Sequence, residues 1–112
     1  MRQEVFGNNL SSIDQVLENI VYIELRRRGW KVAVGRVGTK EVDFIADKGP
    51  ARRYFQVSYL VGGGVTEERE FGSLLKIPDN YPKTVLSMDP ILRSQKGIEH
   101  RNLVEFLLDP AW

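Results

Sequence analysis

One stretch, "EVDFIADKGPARRYFQVSY" at residues 41–59, constrains the fold of this chain more than any other. Apolar and polar residues alternate on both sides of Gly49 and Pro50, which is the pattern of two β-strands joined by a tight turn. The stretch therefore predicts an antiparallel hairpin with arms at residues 41–47 and 52–60.

The register of this hairpin decides which side chains share a face of the sheet. If Asp47 pairs with Arg52, paired residues have numbers that sum to 99, and Asp43 lies opposite Gln56. One face is then oxygen-rich and the other apolar, with Glu41, Asp43, Gln56 and Ser58 on the first and Val42, Phe44, Ala46, Phe55, Val57 and Tyr59 on the second. Carboxylate, amide and hydroxyl oxygens are ligands of Mg²⁺, but a solvated hairpin face explains the same pattern.

A helix is predicted before the hairpin, at residues 10–29, "LSSIDQVLENIVYIELRRRG". Ser11 and Ser12 are candidate N-caps, and Gly29 suits the position just after a helix. At about 100° per residue, the apolar side chains fill an arc of roughly 200°. We therefore expect this helix to be covered on more than one side.

The remaining elements are predicted from the same alternation between strand-like and helix-like spacing of apolar residues. Strands are predicted at residues 30–37 and 82–88, a helix at 66–77 behind a Thr66 cap, and a short strand and helix within 97–109. The order α-β-β-β-α-β predicts an α/β fold with a mixed sheet in the strand order 1-2-3-4, strand two antiparallel, and helices on the sheet faces. The predicted core includes Phe44, Val57, Leu74 and Val85.

The composition excludes several classes of function. The 112 residues are 42% hydrophobic, which predicts a single domain spanning residues 1–112. Sixteen Lys and Arg against fifteen Asp and Glu give a net charge of +1, so any nucleic-acid contact must depend on a local patch. With no cysteine and one histidine, the only metal site left open is a hard cation bound by carboxylates. No membrane-spanning run or signal peptide is visible, which predicts a cytoplasmic protein.

The order of these elements resembles the PD-(D/E)XK nuclease pattern of the restriction-endonuclease-like fold. That pattern consists of a Glu in the first helix, an Asp on the second strand and an acidic-x-Lys triplet on the third. Here Glu18 stands at the helix position, Asp43 at the strand position, and "QVS" at 56–58 where the triplet belongs.

A more specific resemblance covers nearly the whole chain. "LENIVYIELRRRGW", "EVDFIA", "YFQVSY", "EREFGSLLKIPDNYPKTVLSMD" and "GIEHRNLVEFLLD" are similar to the C-terminal domain of a large bacterial and archaeal family of AAA-type ATPases. The resemblance implies a C-terminal fragment of a larger ATPase, with the N-terminal ATPase domain of the same parent chain and DNA as its partners. No G-x-x-x-x-G-K-[ST] motif occurs in these residues, so the nucleotide site would lie outside them.

The departures from the nuclease pattern imply a degenerate site made of Glu18, Asp43, Gln56 and Ser58. Ser58 cannot supply the charge of a lysine, and Gln56 offers a metal only a neutral oxygen. Glu18 and Asp43 would be the remaining ligands of a weak or lost Mg²⁺ site, and no cofactor is required. The resemblance implies an inactive nuclease module; the alternative is an active metal-dependent nuclease in which Arg69 or Lys83 supplies a displaced cation.

Two further charged groups have competing interpretations. Arg52, Arg53, Arg69 and Lys83 are candidate nucleic-acid contacts, although such residues more often solubilise turns and cap helices. Glu24 lies near the middle of the apolar arc of the first helix, where we expect it to pair with Arg28 or Lys31 rather than to bind metal.

Overall fold

The computed structural model of the protein describes residues 10–37, 40–62 and 64–110. Within these ranges the chain forms three helices and five strands, in the order α1 (Leu10–Arg27), β1 (Lys31–Val37), β2 (Lys40–Lys48), β3 (Ala51–Val57), α2 (Gly64–Leu75), β4 (Lys83–Ser87), β5 (Glu99–Asn102) and α3 (Leu103–Leu108). No helix in these ranges is long and apolar enough to span a membrane.

The five strands form one mixed sheet in the order β1-β2-β3-β4-β5. β2 is antiparallel to both of its neighbours, whereas β4 is parallel to β3 and β5 is parallel to β4. Helix α2 connects the parallel strands β3 and β4. The predicted α/β class, the mixed sheet and the order of its first four strands are confirmed, and β5 extends the sheet by one strand.

The helices cover both faces of the sheet through two apolar clusters. Helices α1 and α3 pack on one face through Val21, Leu25, Phe44, Phe55, Val57 and Phe106. Helix α2 packs on the other face through Val42, Tyr54, Phe71, Leu74, Val85 and Ile98. The four residues predicted to be core, which are divided between these clusters, are all buried.

The predicted hairpin register is confirmed along most of its length. Asp47 pairs with Arg52, and Phe44 pairs with Phe55. The turn needs Gly49, which has a φ of 58°, in the left-handed region where a side chain is strained. The Arg52 guanidinium also donates to the Asp47 carboxylate across the strands, with an Nε–Oδ1 distance of 2.7 Å.

The apolar face of the hairpin differs from the prediction at Val42, which packs with α2 instead of sharing a face with Phe44. The β1–β2 register contains an irregularity, because Ala33 pairs with Ile45 whereas Gly35 pairs with Val42. The extra residue in β2 reverses the alternation at that point. Gly35 permits it, since a Cβ there would lie 2.6 Å from Cγ1 of Ile45.

The predicted ends of the helices are only partly confirmed. Gly29 follows α1 with a φ of 93°, and the Trp30 N–H donates to the Leu25 carbonyl at 3.0 Å. The predicted N-caps are wrong, because Ser11 and Ser12 lie inside α1 and Thr66 lies inside α2.

The predicted burial of α1 on more than one side is also wrong. Val16 and Ile23 are 57% and 62% exposed, because the described residues cover only the sheet side of the helix. The apolar arc is thus wider than the surface that the described residues place against it.

Candidate carboxylate site

Four carboxylates on α1, β2 and α2 interact electrostatically. Asp14 and Glu18 lie one turn apart on α1, Asp43 lies on β2, and Glu70 lies on α2. The charges of Asp43 and Asp14 both act on Glu18 and on Glu70. We call these four residues the carboxylate cluster.

Asp43 and Gln56 are joined by side-chain contacts at the point where the regular β2–β3 pairing stops. The Asp43 N–H donates to Oε1 of Gln56 at 2.8 Å, and the Val57 N–H donates to Oδ2 of Asp43 at 2.8 Å. Gln56 is only 5% exposed. These bonds satisfy backbone donors that would otherwise be buried without partners, and they fix the Asp43 carboxylate in place.

The segment that follows β3 brings Ser58 to the cluster. Ser58 is buried, its N–H donates to the Leu86 carbonyl at 3.0 Å, and its hydroxyl donates to the Leu60 carbonyl at 3.4 Å. The next residue, Tyr59, donates its N–H to Oδ1 of Asp14 at 2.7 Å. The four predicted site residues Glu18, Asp43, Gln56 and Ser58 therefore belong to one region, together with Asp14.

Two members of the cluster, Glu18 and Glu70, hold protons more tightly than isolated carboxyls do. Burial, together with the charges of Asp43 and Asp14, raises the pKa of Glu18 to about 7. Burial likewise raises the pKa of Glu70 to about 7, with Asp43 adding to the effect and Arg69 opposing it. Near neutral pH the site is therefore able to accept either protons or a cation.

Removing one of these carboxyls should stabilise the protein at alkaline pH. Because the folded-state pKa of Glu70 lies above that of the unfolded chain, its stability penalty is absent below pH 4.5 and complete above about pH 7. We expect Glu70→Gln to raise the melting temperature by several degrees at pH 8 and to leave it unchanged at pH 4. The control is Glu68→Gln on the exposed side of α2. An equal shift at both pH values would contradict the assignment.

The chemistry of the cluster suits a hard cation, but its geometry is incomplete. Glu18 and Asp43 are the residues that would hold Mg²⁺, since carboxylate oxygens are its preferred ligands. One Asp43 oxygen is already engaged by the Val57 N–H. In the part of the chain that the structure describes, no group of three or more His, Cys, Asp or Glu residues is arranged to hold a metal ion.

Arg69 forms an ion pair with one member of this cluster, Glu70. Its Nε lies 3.4 Å from Oε2 of Glu70, and its side chain is 66% exposed. Arg69 also lines a cavity of about 200 Å³ together with Asp14 and Ser58. Arg69 and Ser58 therefore line the same cavity.

Lys83 is engaged elsewhere. Its ammonium donates to the carbonyls of Asp79 and Tyr81 at 2.6 and 3.0 Å and lies 5.5 Å from the centre of the Tyr54 ring. Lys83 therefore fastens the loop before β4, and its contacts do not include the carboxylate cluster.

The two hairpin arginines differ in how tightly the fold holds them. Arg52 is paired with Asp47 through two hydrogen bonds, of 2.7 and 3.2 Å. Arg53 makes no hydrogen bond or ion pair within residues 10–37, 40–62 and 64–110. Of the candidate nucleic-acid contacts, Arg53 is thus the one whose charge the described fold does not use.

Glu24 has the structural role that the sequence predicts. Its carboxylate accepts from Nε of Arg28 at 2.5 Å and from Nη2 of Arg27 at 2.6 Å. These hydrogen bonds lower the pKa of Glu24 to about 2. Arg28 in turn donates to the carbonyls of Asp109 and Leu107, so the ion pair ties α1 to the end of α3.

A buried polar network next to the site was not predicted. Asp89 accepts from the N–H groups of Val61 and Gly62 at 2.7 and 3.0 Å and from the Ser87 hydroxyl at 2.5 Å. Burial alone would raise the pKa of Asp89, but these hydrogen bonds outweigh it and lower the pKa. The network fixes Val61 and Gly62, in the segment after β3.

His100 completes this network as a neutral ring. Its Nδ1 accepts from the Arg93 N–H at 2.8 Å, so the proton lies on Nε2, which is 2.6 Å from the Ser87 hydroxyl. Burial lowers the pKa of His100. The Ser87 hydroxyl donates its hydrogen bond to Asp89 and is fully buried. His100 therefore does not activate Ser87 as a nucleophile.

Asp14 and Glu70 are the cluster members that the sequence analysis missed. Asp14 precedes Glu18 by four residues, and this spacing places both on the same side of a helix. The sequence alone could therefore have indicated that Asp14 lies near Glu18. Glu70 has no comparable local signature, because its position depends on how α2 packs against the sheet.

Comparison with known proteins identifies a longer relative but no family. No known family model matches this chain. The chain is 37% identical over 109 residues to an uncharacterized protein of Haemophilus influenzae, an alignment that covers 96% of the chain and 26% of that protein. The chain thus spans about a quarter of the length of the relative it matches.

Proposed function

We propose that this chain is a nuclease-derived module of the PD-(D/E)XK type that belongs to an AAA-type ATPase and has lost DNA cleavage. Its role is then DNA contact or protein interaction rather than catalysis. The restriction-endonuclease-like assignment rests on the resemblance of its motifs, and the mixed sheet with a helix before the hairpin and another between β3 and β4 is compatible with it.

The observation that carries the proposal is a neutral side chain at the position where the triplet has a lysine. Nuclease chemistry of this type needs a cation beside the carboxylates, where a bound Mg²⁺ polarises the phosphate and a lysine positions the attacking water. The residue at that position is Ser58, whose hydroxyl donates to a backbone carbonyl. Burial is the main cause of the raised pKa values of Glu18 and Glu70, and at Glu70 the charge of Arg69 only partly opposes it.

The ATPase context is supported by chain length as well as by resemblance. The Haemophilus influenzae relative is about four times as long as the region it shares with this chain. A chain of that size has room for a nucleotide-binding domain in addition to this one. The N-terminal ATPase domain of the parent chain is therefore our proposed partner.

One observation favours an active nuclease as the second candidate. Arg69 lines the same cavity as Ser58 and Asp14, so a displaced cation is close to the position that the lysine would occupy. Because the Arg69 side chain is 66% exposed, its 3.4 Å ion pair with Glu70 holds it only weakly. Lys83, the other displaced cation considered, is fastened to Asp79 and Tyr81 instead.

A cleavage assay separates the two candidates. We expect the unaltered protein not to cleave single- or double-stranded DNA with Mg²⁺ or Mn²⁺, because losing a charged group at the reacting centre typically costs ~10²–10⁴-fold in rate. We also expect metal binding no tighter than the millimolar range, measured by calorimetry. Cleavage that disappears in both Asp43→Ala and Arg69→Gln would establish the active nuclease.

DNA binding, where it occurs, should be weak and strongly dependent on salt. Arg52 is already paired with Asp47, so the hairpin offers few uncommitted charges to phosphates. We expect Arg52→Gln with Arg53→Gln to weaken duplex binding and to reduce the log–log salt slope by about 1 to 2. Neutralising Arg26 and Arg27 removes the same charge from the end of α1 and serves as the control. No binding of the unaltered protein at low salt would leave protein interaction as the role.

A further inference from the structure

His100 holds part of the connection between β4 and β5 against the sheet. Its Nδ1 accepts from the Arg93 N–H at 2.8 Å, and its Nε2 lies 2.6 Å from the Ser87 hydroxyl. The main-chain N–H of His100 also donates to Oγ of Ser94 at 2.8 Å. Residues 93–95 are therefore attached to β5 through one buried residue that titrates, and we call them the latch segment.

The latch segment also contacts helix α2. Nε2 of Gln95 donates to Oε2 of Glu67 at 2.7 Å, and Nη1 of Arg93 lies 3.7 Å from Oε1 of the same carboxylate. The His100 ring itself packs on α2 through Phe71, with the ring centres 5.8 Å apart. The latch segment thus connects β5 with α2, the helix that contributes one residue to the carboxylate cluster.

Protonation of the His100 ring affects its two contacts in opposite ways. A neutral imidazole accepts at one nitrogen, whereas an imidazolium donates at both. A proton added to Nδ1 would face the Arg93 N–H, and two donors cannot form a hydrogen bond. Nε2 still donates to Ser87, which donates to Asp89 at 2.5 Å, and it lies 3.8 Å from Oδ1 of Asp89. The charged ring therefore loses its contact with Arg93 and gains an ionic interaction with Asp89.

We propose that protonation of His100 at Nδ1 releases the latch segment from β5 while the contacts of Asp89 stay closed. A donor that is buried without an acceptor carries the full cost of losing its water, so the Arg93 N–H should leave the charged ring. Residues 93–95 are half-buried or exposed, which lets this N–H reach water. The main-chain N–H groups that donate to Asp89 keep their acceptor in both states. Acid therefore opens one side of the network and not the other.

The surroundings of the imidazole decide at which pH the latch segment opens. Burial lowers the pKa of the ring below its ordinary value of 6.5, and the charge of Arg93 acts in the same direction. Asp89, after β4, and Glu67, on α2, oppose this shift. The neighbours on β5, Glu99 and Arg101, alternate to the other face of the strand. The latch segment is thus closed at neutral pH and opens below pH 6.5.

Nuclear magnetic resonance tests the switch in the unaltered protein, whose single histidine gives one unambiguous ring signal. Melting temperature does not isolate the effect, because the raised pKa values in the carboxylate cluster stabilise the protein on acidification over an overlapping pH range.

Between about pH 7.5 and about pH 5, which brackets the ordinary pKa of histidine, the Arg93 amide signal should move with the same midpoint as the ring. Its hydrogen exchange, corrected for the intrinsic pH dependence, should become at least tenfold faster. The amides of Val61 and Gly62 should stay protected, since they donate to Asp89. An Arg93 amide that stays protected beside a charged ring overturns the inference, as does a ring that stays neutral at about pH 5 or a loss of protection at all three amides.

Two substitutions test whether the ring and the latch segment titrate together. Glu67→Gln removes a charge that favours the protonated ring, so the midpoints of the ring and of the Arg93 amide should both move to lower pH. Glu68→Gln, at the next and exposed position of α2, is the matched control and should move neither. A ring midpoint that moves without the amide midpoint would contradict the coupling.

His100→Asn keeps an oxygen near the position of Nδ1 but takes up no proton. In this variant the protection of the Arg93 amide should no longer depend on pH, once circular dichroism shows that the protein is folded. The same acid-dependent loss of protection without the histidine would show that another group controls the latch segment.

Discussion

The double substitution Gln56→Glu with Ser58→Lys is expected to produce nicking of supercoiled DNA in Mn²⁺ where the unaltered protein produces none. It rebuilds the acidic-x-Lys triplet beside Asp43. A glutamate at 56 retains the oxygen that accepts from the Asp43 N–H. A lysine at 58 can extend into the cavity of about 200 Å³ that Ser58 shares with Asp14. A positioned charge of this kind is typically worth ~10²–10⁴-fold in rate.

The single substitutions are the controls for this gain of activity. Gln56→Glu alone adds a fifth carboxylate beside four that already repel one another, so its melting temperature should fall at pH 8. Ser58→Lys added to it should recover part of that loss, because the ammonium compensates the new charge. Neither single variant should nick DNA.

Two outcomes would change the proposed function. If the double variant folds, recovers stability and still does not nick DNA, the geometry at Asp43 is not that of a nuclease. If the double variant nicks DNA and Asp43→Ala removes this activity, the site has the ancestral arrangement. Activity of the unaltered protein that Asp43→Ala removes would instead show a working enzyme.

The hairpin was predictable because its information is local. The period of two fixes which side chains share a face, and a slip of one residue would have moved Phe44 and Val57 out of the core. The contact between Asp43 and Gln56 followed from that register alone. The α/β class followed similarly from the order of the elements.

The features that were missed depend on contacts between distant segments. Val42 changed faces because Gly35 of another strand lets Ile45 approach closely, and nothing in the sequence near Val42 indicates this. Glu70 joined the cluster through the packing of α2. The exposure of Val16 was missed because the positions of apolar residues on a helix show which side chains can be buried. They do not show whether another segment covers them.

Val57 on β3 faces the apolar cluster under α1 and α3, and this orientation predicts which single substitution unfolds the protein. Val57 is 3% exposed and packs with Phe44, Phe55 and Leu86 in the cluster under α1 and α3. Val57→Asp would bury a carboxylate among apolar side chains. An unpaired buried charge costs several kcal/mol, which is comparable to the ~5–15 kcal/mol total stability of a typical domain. We therefore expect the variant to be largely unfolded at 25 °C.

The matched control for this prediction is Val34→Asp, the same change on β1 of the same sheet at an 83% exposed position. It should melt within a few degrees of the unaltered protein, because its carboxylate stays in water. Val57→Ala separates the two causes of damage: it removes volume without adding charge and should cost about 1–3 kcal/mol, leaving a folded protein with a lower melting temperature. Urea denaturation followed by circular dichroism measures all three variants. A Val57→Asp variant that melts like the unaltered protein would contradict the inward orientation of Val57, and with it the register that brings Asp43 to Gln56.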